Sequence, residues 1–100
     1  MGKLFIIGIK NGEIIKEIVE VVDKTDKTYY LGENKLGRKA VTKKQLNLLA
    51  KSTNYVGSGV NIVSTSKETA IRIFSEYVQE EIDKYCKMKE ALFDENSWIE

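Results

Sequence analysis

Asn11-Gly12 sits between two β-rich runs, Lys3 to Lys10 and Glu13 to Val22. A type I′ turn needs positive φ at both central positions, which Asn and Gly tolerate best, so this pair dictates an antiparallel hairpin at the start of the chain. The second run carries its apolar residues in pairs, Ile14-Ile15, Ile18-Val19 and Val21-Val22, separated by charges. Pure alternation fails there, so a bulged strand and a helical spacing both stay open for residues 13–22. The repeat Asp23-Lys24-Thr25, Asp26-Lys27-Thr28 makes a polar turn before a third strand from Thr28 to Gly32. Gly32 and Gly37 bracket a second turn, and Gly37 to Val41 returns as a fourth strand, so residues 1–41 read as an antiparallel β-meander.

Helix signals begin at Thr42. Thr42 and Gln45 have capping-box spacing, and Leu46, Leu49 and Ala50 give a short helix over 42–52 a buried side. A glycine-bearing loop from Tyr55 to Gly59 leads to a strand over 60–65, and Thr65 with Glu68 repeats the capping-box spacing. From Lys67 to Met88, Ile71, Phe74, Val78, Ile82 and Tyr85 recur on one side and charges on the other. That is one amphipathic helix of about six turns, spanning 66–92 and followed by a tail over 93–100. The order β-β-β-β-α-β-α implies an α+β fold: a small antiparallel sheet or open barrel of about five strands, with the long helix packed on it. At 100 residues the chain is one domain.

Composition removes whole classes of chemistry. Histidine is absent, so no imidazole serves as base, shuttle or ligand. One Cys, no His and no spaced set of acids offers no metal site, and no cofactor is expected. The single Cys86 forms no intramolecular disulfide, which suits a reducing cytoplasm. It reads as a passive, half-buried thiol rather than one activated by Lys84 and Lys87. The apolar run Leu4 to Ile9 is too short for a signal-peptide core or a membrane span, and Ile6 stands where a myristoylation pattern needs Ser or Thr. Gly32 to Gly37 has the glycine spacing of a phosphate loop, but Arg38 and Lys39 follow where Lys and then Ser or Thr are required. Gly57-Ser58-Gly59 likewise lacks a third glycine at Ile62. The neighbouring acids Glu80-Glu81 and Asp94-Glu95 point to different helix faces, a poor layout for general acid and base. A non-enzymatic role is the expectation.

The formal net charge of +1 hides an uneven distribution. Residues 1–33 balance to −1, residues 34–67 carry seven basic side chains and no acid, and residues 68–100 balance to −5. Lys35, Arg38, Lys39, Lys43 and Lys44 head the acid-free block, with Tyr29 and Tyr30 entering it from one side and Tyr55 inside it. Lysines that meet phosphates and tyrosines that stack on bases are what a nucleic-acid or other polyanion surface uses, with Arg38 the natural bidentate fork. The competing reading is that the block balances the acidic third of the same molecule or of another copy.

The acidic helix and the only tryptophan support a second function. Glu76 and Glu80 lie on an acidic helix face, and Trp98 near the tail's end is an interface anchor. These residues suit a protein-interaction or inhibitor role against a host protein, with a homodimer as a further possibility and no membrane partner. Size, composition and charge layout resemble those of small cytoplasmic proteins of bacteria and phages.

Overall fold

A computed structural model describes residues 2–51 and 59–99. The strands are β1 (Lys3–Lys10), β2 (Glu13–Lys24), β3 (Thr28–Leu31), β4 (Ala40–Thr42), β5 (Leu49–Lys51) and β6 (Val60–Ser64). Helix α1 (Lys67–Phe93) follows, then a 3₁₀ turn over Glu95–Ser97. All six strands join one antiparallel sheet in the order β4-β3-β2-β1-β6-β5, curled into a half-barrel. The expected α+β architecture is present, with six strands among the described residues in place of about five.

Asn11 at φ 52° and Gly12 at φ 79° make the expected hairpin turn and pair Lys10 with Glu13. Residues 13–22 are strand throughout, which resolves the ambiguity of the paired apolar residues. Ile15, Val19 and Val21 point into the half-barrel, while Ile14, Ile18 and Val22 form an apolar outer row that is about half exposed. Register slips only near Val21 and Asp23, where β2 meets β3.

β1 divides the core between two faces by strand alternation. Leu4 and Ile6 join Val19, Leu31, Leu36, Val41 and Val63 inside the half-barrel. Ile7 and Ile9 face outward with Ile62, where Ala70 and Phe74 of α1 cover them. Ser66 caps α1, its Oγ accepting from the Thr69 amide at 3.3 Å, so the cap falls one residue later than the Thr65 of the expected box.

Of the helix expected over 42–52, the described residues 42–51 form none. Its capping contact does form, the Thr42 amide donating to Gln45 Oε1 at 3.0 Å, yet the chain turns once and leaves. Asn47 adopts φ 62° and its amide donates to Val63 O at 2.9 Å, which steers Leu49–Lys51 into pairing with β6. Nucleating a helix fixes many dihedrals for few bonds, and this apolar stripe is too short to repay that against a ladder on an open strand edge.

Only the first half of α1 lies on the sheet. Tyr77, tilted against Phe74 with ring centroids 5.6 Å apart and with Lys51 Nζ 5.6 Å from its ring, marks the far side of the packed region. From Ile82 onward every described helix side chain is exposed, and the molecule measures 59 × 26 × 22 Å. Its radius of gyration is 17.1 Å. A compact chain of this length has about 13 Å, so the helix projects as an arm. Among the described residues no helix is long and apolar enough to cross a membrane.

Candidate binding surfaces

The segment between β3 and β4 carries Lys35, Arg38 and Lys39 of the basic block, and it folds as a plug. Asn34 organises it: Oδ1 accepts from the Arg38 amide at 3.0 Å, and Nδ2 donates to the carbonyls of Arg38 at 2.7 Å and Gly32 at 2.9 Å. Gly37 at φ 69° closes a turn onto Asn34 O at 3.1 Å, a β-turn where a phosphate loop would need inward amides. Leu36 drops into the space that Gly8 leaves by having no side chain; a Cβ there would stand 2.5 Å from Leu36 Cδ1.

Arg38 goes inside with Leu36. It is 5% exposed, with Nε donating to Ala40 O at 3.1 Å, Nη1 to Asn61 Oδ1 and Nη2 to Gln45 Oε1 at 3.4 Å. A guanidinium is tolerated in a core only when its donors are used in this way. The expected anion fork is therefore corrected: Arg38 ties β4 and the 43–48 turn to β6 across the open side of the half-barrel. Asn61, alone among Val60, Ile62 and Val63, was the sequence signal for a buried polar partner.

The other basic residues are exposed but dispersed. Lys35 sits over the hairpin end, its amide donating to Glu17 Oε1 at 2.8 Å and its carbonyl accepting from Lys10 Nζ at 2.7 Å. Lys39 flanks β4, Lys44 lies on the following turn, and Lys43 Nζ stands 5.5 Å from the Tyr29 ring centroid. Tyr29 is half-buried against the inner core while Tyr30, next in the strand, is exposed on the other side, so the two do not form one stacking platform. Tyr55 lies outside the described residues. Among the described residues the one ion pair is Arg72–Glu76 at 3.5 Å, so no ion pair there ties the basic block to the acidic helix.

The acidic helix residues and Trp98 occupy the arm. Glu76 is held by Arg72, Glu80 is exposed, and Trp98 is 76% exposed. Around them lies a feature that the charge pattern concealed, an apolar row of Ile82, Tyr85, Met88, Leu92 and Phe93 open to solvent. Cys86 is exposed on this arm, which corrects the expected half-burial. At the other end of α1 a groove of about 240 Å³ opens between the helix and the outer row of β2. Its floor is Phe5, Ile18, Ala70 and Ile71 and its rim carries Lys16 and Lys67, with Lys67 Nζ 5.8 Å from the Phe5 ring. Among the described residues no three Cys, Asp or Glu side chains converge as metal ligands would.

No protein-family model, curated protein or solved structure matches the chain.

Proposed function

We propose that this protein is a non-enzymatic protein-interaction module that presents its helical arm to a partner. The observation carrying this reading is the exposed row on α1, where Leu92 and Phe93 are 78% and 77% open to solvent. Apolar residues three and four apart on a helix are the anchors of helix-in-groove recognition, and contiguous exposed apolar surface costs solubility unless something covers it. Pull-down from a cell lysate tests it: a partner retained by the native chain should be lost with Leu92→Glu plus Phe93→Glu and kept with the surface control Lys44→Ala. A partner indifferent to the arm substitutions sinks the reading.

A second reading, an anionic partner held by Lys35, Lys39, Lys43 and Lys44, draws on their exposure and the absence of ion pairs to them among the described residues. Nucleic acid remains the partner class those lysines suit best. An anisotropy titration with single- and double-stranded oligonucleotides should then show salt-sensitive binding that weakens in Lys39→Ala, Lys43→Ala. No binding at low salt removes it.

A further inference from the structure

From the arm and the groove together we infer that the partner is a second copy of this chain, bound antiparallel about Tyr85 with each copy's Trp98 in the other's groove. This inference rests on the arm being an interaction surface. The apolar row Val78, Ile82, Tyr85, Met88, Leu92 has the same spacing read in either direction from Tyr85. A two-fold dimer joins the same patch on both copies, so an antiparallel helix pair needs just this self-matching row. Its steps of four, three, three and four average 3.5, the repeat of helices that wrap gently around each other. In that register Ile82 lies level with Met88 of the second copy and Val78 with Leu92. Glu81 comes level with Lys89, and Tyr77 with Phe93.

In that register the second copy's Phe93 stands level with Tyr77, about 9 Å along the helix from Ile71, and its residues beyond the helix end are long enough to span that distance and bring Trp98 to the groove. Ile71 lines the groove, whose apolar floor matches an indole and whose Lys16 and Lys67 rim matches the acid Glu95 that precedes Trp98. The chain's own Trp98 cannot fill its own groove. Ile71 lies about 33 Å back along the helix from Phe93, at 1.5 Å per residue, and the residues from Asp94 to Trp98 extend at most about 18 Å. A second arm arriving there would also cover Ile18 on the outer row of β2, which α1 leaves bare.

Size exclusion with light scattering on the whole chain should give twice the 11.4 kDa monomer mass. Tyr85→Glu, which sets like charges on the axis, should give monomer, and Ile18→Glu should weaken dimerisation by about tenfold, the scale of a buried anchor. Lys67→Glu and Glu95→Lys should each weaken it and restore it when combined. In a Cys86→Ser background, mixed Val78→Cys and Leu92→Cys chains should oxidise to each other rather than to themselves, the reverse of a parallel pair. Trp98 emission should shift to the blue on dimerisation and return to the red in Ile18→Glu. A native chain that stays monomeric while its captured partner is lost with the arm substitutions overturns the second copy and leaves the proposed function standing. A dimer insensitive to Tyr85→Glu overturns the second copy on the arm, since its copies then meet elsewhere. A dimer sensitive to Tyr85→Glu but not to Ile18→Glu, or one whose cysteines self-pair, overturns the antiparallel exchange.

Discussion

Arg38 and Asn61 are 23 positions apart in sequence and share a buried hydrogen bond across the open side of the half-barrel. Removing one partner strands the other's polar atoms in the core. Asn61→Leu and Arg38→Met should each cost about 3 kcal/mol. The double variant should cost less than their sum, because neither Arg38 nor Asn61 is then left without the other. Urea unfolding midpoints for the three variants check the coupling.

Gly8 and Leu36 form a matched pair of small and large. Gly8→Ala should destabilise by about 1–3 kcal/mol through overpacking, since Leu36 Cδ1 lies 2.5 Å from the new methyl and the Asn61 Cβ 3.1 Å. Trimming the plug in Gly8→Ala, Leu36→Val should return part of that loss. Thermal melting of both variants decides whether Leu36 is what the methyl meets.

Asn47 holds a left-handed φ and also accepts from Ser64 Oγ and from the Thr65 amide. Asn47→Gly keeps the backbone freedom and loses the acceptor, whereas Asn47→Ala loses both. The alanine variant should therefore be the less stable by about 1 kcal/mol, the usual cost of a left-handed residue. Chemical denaturation of the pair measures the difference directly.

Glu68 lies in the first turn of α1, and its carboxylate is held below the ordinary range by a backbone amide and by the Ser66 hydroxyl. A folded-state pKa below the unfolded one means its stabilisation is present above the unfolded value and fades as pH falls through the folded value. Glu68→Gln should thus be less stable than the native chain at neutral pH. The two should converge in the acid limb of a stability–pH profile.

If copies bind only when folded, mass action makes stability depend on protein concentration. The unfolding midpoint of the native chain should rise with concentration, and that of Tyr85→Glu should stay flat. Circular dichroism melts across a dilution series supply the comparison. A flat native series contradicts the paired state.

The hairpin, the strands and the long helix were legible because their signals are local: Asn11-Gly12 sets two dihedrals, and residues 67–88 repeat on a helical period. The turn at 42–48 was not, because the Thr42–Gln45 signal is genuine and forms, and what overrides it is the distant edge of β6. The site was less legible still. Counting charges gathered Arg38 with Lys39 and Lys43, but a count cannot tell a guanidinium facing Asn61 from an ammonium facing water. It also joined Tyr29 and Tyr30, which a strand separates by putting successive side chains on opposite faces. The arm's apolar row was visible as half of an amphipathic helix; what sequence could not show was that the sheet ends before the helix does.

Among the described residues the two edge strands, β4 and β5, are three residues each. Edges this short offer few free backbone groups to an incoming strand, and native sheets use that brevity to resist edge-to-edge growth. Stacking sheet on sheet would give an open fibre, whereas a helix that meets its own copy about one axis is saturated after a single encounter. The stunted edge strands of the half-barrel thus offer little template for a polymer, and the helix pair we propose would close after two copies.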